Sequence, residues 1–183
     1  MGFHTFDPGR AEELDDPTRY QYVSVDELLA LFDAGPDDVV ADLGSGTGFY
    51  TDSVAAAVGT VYAVDVQGQL HEFYREKGLP DNVTPVTADV ATLPIGESLD
   101  AVVSTMTFHE FATPAAMDAV VDALGPDGRV GVADWTREGT GEAGPPLSER
   151  YSAADAVEFC EAAGIEVDRA EDRRETFVLA GSV

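Results

Sequence analysis

Short apolar runs alternate with amphipathic stretches along most of this chain. Runs bounded by turn-forming residues are typical of buried strands, whereas apolar residues at i, i+3, i+4 and i+7 indicate helices with one buried face. On this basis we predict strands at residues 38–43, 61–65, 83–89, 99–105, 129–135, 165–169 and 176–183. Helices are predicted from residue 24 up to the stop signal at 35–36, and at about 49–58, 69–77, 113–124 and 152–163.

This order of elements predicts an α/β fold with a doubly wound, Rossmann-like sheet and helices on both faces, because strands that alternate with helices are joined by crossover connections. The final two strands are separated only by residues 170–175. That is too short for a crossover helix, so we expect an antiparallel hairpin there. With no internal repeat and no linker, residues 24–183 are predicted to form one domain.

Two segments lack such periodicity and are candidates for covering a ligand. Residues 1–23 form an N-terminal arm rich in aromatic and arginine side chains, which either packs on the domain or folds over a ligand as a lid. Residues 136–151 contain several glycines and prolines. They predict a loop of a length that is usually functional or mobile.

The net charge of the chain is unusual, whereas its apolar content is ordinary. The sequence has 35 Asp and Glu against 10 Lys and Arg, a formal net charge of −25, and Lys77 is its only lysine. Acids spread over a chain of ordinary apolar content favour a salt-adapted surface over disorder; a merely acidic protein from an ordinary environment is the alternative. Such a charge also argues against a nucleic-acid partner.

Cysteine content and hydropathy bear on disulfides, metal sites and cellular location. Cys160 is the only cysteine, so we expect no internal disulfide and no thiolate metal cluster, and no metal site is predicted. No apolar stretch reaches membrane-spanning length, and the N-terminus lacks a signal-peptide pattern. We therefore expect a soluble, cytoplasmic protein with no membrane partner, and a homodimer is compatible with the sequence.

The candidate chemistry lies at the carboxyl ends of the predicted strands, where open α/β sheets bind ligands. The first strand ends in Asp42 and is followed by the turn Gly44-Ser45-Gly46-Thr47-Gly48 and then by a helix. Such a turn lets a ligand approach the backbone, and the start of a helix offers unpaired N–H groups. The second and third strands end in Asp65 and Asp89. This arrangement indicates a nucleotide-like ligand.

The spacing of the glycines separates two such ligands. A dinucleotide site has the pattern G-x-G-x-x-G/A, and its third small position falls on Phe49 in this chain. Asp42 would be unfavourable beside a pyrophosphate but suits a ligand with ammonium and sulfonium charges, such as S-adenosylmethionine (SAM). Asp65 is placed to accept hydrogen bonds from ribose hydroxyls, and Asp89 from the adenine amine, with Val90 beside the ring.

These motifs resemble those of class I SAM-dependent methyltransferases, and within them the small-molecule branch called methyltransferase type 11 or UbiE-like. The resemblance rests on residues 40–48, 64–65, 88–89, 99–104 and 124–130. It implies transfer of a methyl group from SAM to a small-molecule acceptor. It also implies a seven-stranded sheet in the order 3-2-1-4-5-7-6, with strand seven antiparallel.

Candidate site residues follow from the motifs and from their places at the strand ends. The candidate cofactor contacts are Asp42, Gly44, Ser45, Gly46, Thr47, Gly48, Asp65, Val66, Asp89, Val90 and Thr105. A general base is needed only if the acceptor arrives protonated, and His109 and Glu110, close after the fourth strand, are the candidates. The candidates for the substrate pocket are Tyr20, Tyr50, Thr107 and Trp135. For Tyr50 and Trp135, simple packing is an equal alternative.

Departures from the family pattern bear on the acceptor. Small-molecule members often carry two histidines after the fourth strand, whereas this chain has His109-Glu110. The single Cys160 argues against arsenic methylation. The lack of an Asn/Asp-Pro-Pro-Tyr/Phe motif argues against amino methylation of nucleic acids or proteins. Two other hypotheses stay open: a SAM-binding protein without catalysis, and an NAD-dependent oxidoreductase, which Phe49 and Asp42 disfavour. His4 and His71 are expected on the surface.

Overall fold

Seven strands form one sheet in the computed structural model, which describes residues 6–183. The strands are β1 Val39–Leu43, β2 Thr60–Asp65, β3 Val83–Thr87, β4 Leu99–Thr105, β5 Leu124–Trp135, β6 Glu166–Asp172 and β7 Thr176–Ser182. Their order across the sheet is β3-β2-β1-β4-β5-β7-β6. Strands β1 to β5 run parallel, whereas β7 is antiparallel to both β5 and β6. The predicted architecture, strand order and terminal hairpin are therefore confirmed.

Helices connect the parallel strands. The α-helices of the described chain are α1 Val25–Leu31, α2 Thr51–Ala55, α3 Gly68–Lys77, α4 Phe108–Phe111, α5 Pro114–Ala123 and α6 Ala153–Ala162, and short 3-10 helices occur at Pro8–Asp15, Pro17–Gln21 and Leu147–Glu149. Side-chain caps start several of them. Ser24 accepts from the backbone N–H of Glu27 at α1, and Ser152 forms a reciprocal capping box with Asp155 at α6. No helix within residues 6–183 is long and apolar enough to cross a membrane.

The two faces of the sheet bury separate apolar layers, as expected from the alternation of side chains along a strand. In β1, Val40 faces the layer that includes α1, α2 and α3, while Ala41 and Leu43 face the layer that includes α4, α5 and α6. Asp42 therefore lies on the same face as Val40, below the start of α2. This placement puts a carboxylate inside the molecule at the carboxyl end of β1.

The edge strands carry residues that discourage further strand pairing. Edge strand β3 contains Pro85, which has no backbone N–H to donate. Edge strand β6 exposes most of its side chains, including Glu166, Asp168 and Glu171. Charges and proline on exposed edges are common protections against association through the sheet.

Some element boundaries differ from the sequence prediction for local physical reasons. Helix α2 begins at Thr51 rather than near Phe49, because Gly48 has φ +83° and keeps the preceding backbone out of the helical region. Strand β5 begins at Leu124, which pairs with Leu99 of β4, so the extended backbone starts before the turn at 125–128. The apolar residue that extended the predicted helix to 124 therefore belongs to the sheet.

The loop at 136–151 is held in place by the buried side chain of Arg150. The guanidinium donates from Nε to the carbonyl of Pro145 at 2.8 Å, from Nη1 to that of Thr136 at 3.3 Å, and from Nη2 to that of Ala143. It also lies over the ring of Trp135, with Cζ 5.4 Å from the ring centroid. Burial lowers the pKa of Arg150. One arginine thus replaces the regular backbone hydrogen bonds that the loop lacks.

We expect Arg150→Met to lower the free energy of unfolding by about 2–4 kcal/mol, because several carbonyls would lose their donor inside the protein. The loop should also become a site of rapid cleavage by thermolysin, since its backbone would no longer be held. Urea denaturation and limited proteolysis measure the two effects. Arg174→Met is the matched control, since the Arg174 side chain is 83% exposed. Equal stability of the two variants would contradict the role given to Arg150.

Candidate functional site

The turn between β1 and α2 packs so closely on its neighbours that two of its glycines are needed for the fold itself. Gly44, Gly46 and Gly48 have φ values of +78°, +55° and +83°, which other residues rarely adopt. A Cβ on Gly44 would overlap the side chain of Thr107, and one on Gly48 would overlap the ring of Tyr74. A Cβ on Gly46 would meet only Leu14, at 3.5 Å. Gly46 is therefore the glycine that leaves room for a ligand beside the backbone.

Asp42 is a buried carboxylate with one oxygen satisfied and one not. Its Oδ2 accepts from the hydroxyl of Thr51 at 2.6 Å, whereas Oδ1 is buried and has no hydrogen-bond partner among the described residues. Burial raises the pKa of Asp42 to about 6, against the opposing effects of the Thr51 bond and of Arg19. An unpartnered carboxylate oxygen at this depth is costly unless a bound group supplies a donor.

The carboxylate at the end of β2 holds the glycine turn. Asp65 Oδ2 accepts from the backbone N–H of Gly46 at 2.9 Å, and Oδ1 accepts from that of Gln67 at 2.8 Å. Each oxygen keeps a free lone pair, so these bonds leave acceptor capacity for a ligand. The next residue, Val66, is an apolar side chain that is 56% exposed. An acid and an exposed apolar side chain at one strand end suit the ribose and the base of a nucleoside.

The remaining candidate cofactor contacts have different surroundings. Asp89 is exposed and its Oδ1 accepts from the N–H of Ala91 at 2.8 Å, whereas Val90 is buried in the apolar layer. Thr105 is buried at the end of β4. The hydroxyl of Thr47 already donates to Asp15 of the arm at 2.9 Å.

His71 was expected on the surface, and the structure shows that this prediction is wrong. The imidazole is fully buried, with Nε2 3.3 Å from Ser45 Oγ and Nδ1 2.9 Å from Thr87 Oγ1. Burial lowers the pKa of His71, although Asp65 acts in the opposite direction. His71 therefore joins α3 and the end of β3 to the glycine turn. His4, also expected on the surface, lies outside the described residues.

The N-terminal arm packs over the glycine turn and brings a cation to it. The guanidinium of Arg19 lies over the rings of Phe49 and Tyr50, with Cζ 5.0 and 5.2 Å from the two centroids. Its positive charge acts on both Asp42 and Asp15, and burial lowers its pKa. Arg19 is not among the candidate site residues from the sequence, because an arginine in an aperiodic arm gives no positional signal.

A second ionic contact fastens the arm on its other side. Lys77 Nζ lies 3.0 Å from Asp15 Oδ1 and 3.7 Å from Asp52 Oδ2. The hydroxyl of Tyr74 donates to Asp52 at 2.6 Å. The only lysine of the chain thus connects the arm with α2 and α3.

The end of β4 bends sharply toward the glycine turn. Met106 has φ +60°, an unusual value for a residue with a side chain. The hydroxyl of Thr107 donates to the carbonyls of Gly44 and Thr105, at 3.3 and 3.1 Å. The bend leads directly into the short helix α4, which carries His109 and Glu110. Strain at a site of this kind is often a functional feature.

His109 and Glu110 lie together beside Asp134, a residue near the end of β5 that is not among the candidates from the sequence. His109 Nδ1 is 2.9 Å from Asp134 Oδ2, and the backbone N–H of His109 donates to the same oxygen at 2.7 Å. Nε2 faces Glu110 Oε1 at 3.9 Å. Burial opposes protonation of His109, but Asp134 and the nearby acids outweigh it and raise its pKa. Burial raises the pKa of Glu110 to about 7.

The aromatic candidates for the substrate pocket differ in how freely they could meet a substrate. Tyr50 is buried, and its hydroxyl lies within hydrogen-bond distance of the carbonyls of Arg19 and Val23, at 3.0 and 3.2 Å. Burial raises its pKa to about 12. Tyr20 is partly exposed and packs on Phe49, with ring centroids 4.7 Å apart. Tyr50 therefore packs under the arm and hydrogen-bonds to its backbone.

Trp135 lies where the arm and the 136–151 loop meet. Its ring contacts that of Tyr22 edge-on, with centroids 4.6 Å apart. A Cβ on Gly144, which has φ +77°, would overlap the indole, so the loop packs directly on it. The two aperiodic segments of the chain therefore converge at the carboxyl end of β5, next to His109 and Asp134.

Comparison with known proteins agrees with this geometry. Residues 40–128 match the family described as Methyltransferase domain. An uncharacterized methyltransferase-like protein of Schizosaccharomyces pombe is 33% identical over 104 residues, which are 56% of this chain. The chain spans 40% of the length of that relative.

Solved structures extend the similarity over nearly the whole chain. A SAM-dependent methyltransferase from Aquifex aeolicus is 28% identical, with a TM-score of 0.89 over 98% of this chain and 100% of the other. A chain from the complex between the Haloferax volcanii Trm112 methyltransferase activator and a methyltransferase shares the fold, with 18% identity and a TM-score of 0.80 over 98% and 99% of the two chains. Residues 40–128 are thus similar to a methyltransferase domain, and SAM is the cofactor that the similar structures indicate.

Proposed function

We propose that this protein transfers the methyl group of SAM to a small-molecule acceptor. The observation that carries the proposal is the buried Oδ1 of Asp42, which has no partner among the described residues and lies at the end of β1 beside the glycine turn. A bound ammonium group, directly or through one water molecule, would supply the missing donor. SAM carries such a group on its methionine end.

The surrounding residues suit the rest of that cofactor. Arg19 and Asp42 place a cation and an anion close together, as a bound amino-acid zwitterion requires. Gly46 leaves space beside the backbone, and Asp65 keeps lone pairs free for ribose hydroxyls. Val66 offers an exposed apolar surface for the adenine ring, and Asp89 lies two residues after the end of the neighbouring strand β3.

When bound, SAM supplies an electrophilic methyl group on a positively charged sulfur. The protein residues bind and orient the two reactants, and orientation alone can contribute up to about 7–11 kcal/mol to lowering a barrier. The bend at Met106 and the contact of Thr107 with Gly44 bring α4 next to the cofactor turn. His109 and Glu110 on α4 would therefore lie on the acceptor side.

A small acceptor fits the space better than a macromolecule. The arm and the 136–151 loop both pack on Trp135 and narrow the approach to the carboxyl ends of β4 and β5. The net charge of −25 opposes binding of nucleic acids. Tritium transfer from methyl-labelled SAM into fractions of a cell extract tests this point. Label confined to protein or RNA would contradict a small-molecule acceptor.

We expect calorimetry to show binding of S-adenosylhomocysteine but not of NADH. Asp65→Asn should weaken that binding by about 10- to 100-fold, because an amide cannot accept at both positions as the carboxylate does. Asp118→Asn is the matched control, since it removes the same charge from an exposed residue of α5. Unchanged affinity in Asp65→Asn would refute the cofactor placement, and tight NADH binding would favour the oxidoreductase hypothesis.

Asp42 should reduce the stability of the ligand-free protein. Its pKa is raised from 3.8 to about 6 by burial, so the folded state holds this proton more tightly than the unfolded chain does. The contribution of Asp42 to stability therefore falls as the pH rises from about 4 to 6.

Asp42→Asn should raise the free energy of unfolding at pH 7 by about 1–3 kcal/mol while weakening S-adenosylhomocysteine binding. Urea denaturation without ligand, at one fixed salt concentration, measures the first effect and calorimetry the second. Asp118→Asn again serves as the charge control. A less stable Asp42→Asn protein would show that the bond to Thr51 outweighs the cost of burying the charge.

We also propose that the acidic surface is an adaptation to high salt. Repulsion among exposed acids is screened within about 3 Å at 1 M salt, against about 10 Å at 0.1 M. The melting temperature should therefore rise by about 10 °C between 0.1 and 2 M KCl. Sucrose at equal osmolality is the control for non-ionic stabilisation. A melting temperature that is insensitive to KCl would leave a merely acidic protein as the explanation.

A further inference from the structure

The carboxylate of Asp134 is arranged to fix one ring nitrogen of His109 and to leave the other free. Asp134 is completely buried and accepts from the backbone N–H groups of His109 and Trp135, both at 2.7 Å, as well as from His109 Nδ1. A carboxylate is an acceptor only, so the proton of a neutral His109 lies on Nδ1. The lone pair is then on Nε2.

Nε2 is the unpartnered end of a side chain that is otherwise enclosed. The His109 side chain is only 8% exposed. Nε2 makes no hydrogen bond within residues 6–183, and it keeps some accessible surface, unlike Asp42 Oδ1. Glu110 Oε1, at 3.9 Å, lies beyond hydrogen-bond distance. Packing of a histidine for structure alone would not require an open nitrogen held in one tautomer.

The charged groups that act on His109 are all acidic. Asp134 lies on β5, Glu110 on α4 itself, and Glu149 on the 3-10 helix at 147–149. Arg150 is close enough to Asp134 for their charges to interact, but its guanidinium donates to the carbonyls of its own loop. Glu110 is also close enough to Asp65 for their charges to interact. The acceptor side of the site is therefore negatively charged and enclosed.

We propose that the acceptor is an amine, which binds as the ammonium ion beside Glu110 and gives its proton to His109 Nε2, with Asp134 as the positioning residue for His109. This inference rests on the proposed methyl transfer and adds to it the class of the acceptor. Anionic nucleophiles would be repelled by the acids that surround His109.

The reaction balances in charge and atoms. The ammonium ion loses one proton to Nε2, which leaves a neutral amine with a free electron pair and a protonated His109. The amine nitrogen attacks the methyl carbon, the new C–N bond forms, and the electron pair of the old C–S bond stays on sulfur. The positive charge moves from sulfur to nitrogen. Carboxylates near the acceptor therefore stabilise the charge that develops on the nitrogen in the transition state and in the product. His109 then returns its proton to solvent past Glu110.

The first test uses the imidazole nitrogens of the protein saturated with S-adenosylhomocysteine. Nitrogen NMR of histidine-labelled protein should show His109 with its proton on Nδ1 and with a pKa above the usual 6.5. His4→Gln and His71→Gln assign the signals of the three histidines. Asp134→Asn should lower that pKa and abolish the tautomer preference. A wild-type His109 protonated on Nε2 would overturn the proposal without any variant.

The second test compares rates across pH, using methyl-labelled SAM and the amine fraction of a cell extract. Activity should rise with pH through the pKa of His109, and His109→Gln should lose about 10²- to 10⁴-fold. Asp134→Asn should shift the pH profile to lower pH, which a purely structural defect would not do. Glu158→Gln, an exposed acid of α6, is the control. If neither His109→Gln nor Asp134→Asn changed the pH dependence of the rate, the proposed proton transfer to His109 would be overturned.

The third test identifies the acceptor class. A small-molecule extract of the organism that encodes this protein is divided in two, and one half is acetylated and then treated with hydroxylamine, which frees hydroxyls and thiols but not amines. Labelled methyl transfer should be lost only in the acetylated half. Equal labelling of both halves would overturn the amine assignment while keeping the methyltransferase. No labelling in the untreated half would overturn the proposed function itself.

Discussion

The close packing of the glycine turn against Thr107 and Tyr74 is the constraint on which the rest of the site depends. Side chains on Gly44 or Gly48 would collide with these neighbours. The contact with Thr107 also determines where β4 must bend, and the bend places α4 beside the end of β5. The residues that we propose for the cofactor and those that we propose for the acceptor therefore meet at one turn of the backbone.

The same turn is a place where stability and binding oppose each other. Asp42 is buried, its Oδ1 has no partner within residues 6–183, and His71 is buried in contact with Ser45. Burying Asp42 costs free energy that a bound ligand can return, because a donor on that ligand would satisfy the buried Oδ1. Functional sites commonly carry such costs, which the surrounding apolar layers tolerate.

The proposed acceptor side differs from the cofactor side, because the carboxylate of Asp134 already has hydrogen-bond donors from the protein, whereas Asp42 Oδ1 has none among the described residues. Asp134 receives three donors, and His109 keeps a single free nitrogen. The arm and the 136–151 loop both pack on Trp135, the neighbour of Asp134 in β5, and Arg150 holds the loop. Enclosure strengthens electrostatic interactions inside the site because it removes competing water. In this acidic chain, Asp134, Glu110 and Glu149 thus lie around His109, the proposed base.

Periodicity and turn chemistry were sufficient for the α/β architecture and for most element boundaries, because each strand and helix has to bury one apolar face. They also singled out Asp42, Asp65, Asp89 and His109 as candidates, since the carboxyl ends of parallel strands converge. The strand order came from a family resemblance rather than from the residues. One boundary failed where long-range pairing prevailed, because Leu124 pairs with Leu99.

The burial of individual side chains and their hydrogen-bond partners could not be predicted from the sequence, because both depend on residues far apart in the chain. His71 looks like a surface histidine of a polar helix, yet it meets Ser45 and Thr87 inside the protein. Arg150 in a glycine-rich loop gives no sign that it is fully buried. The alternation of apolar and polar residues determined which elements form, and the tertiary structure alone decided which oxygen of Asp42 lacks a partner and which nitrogen of His109 is free.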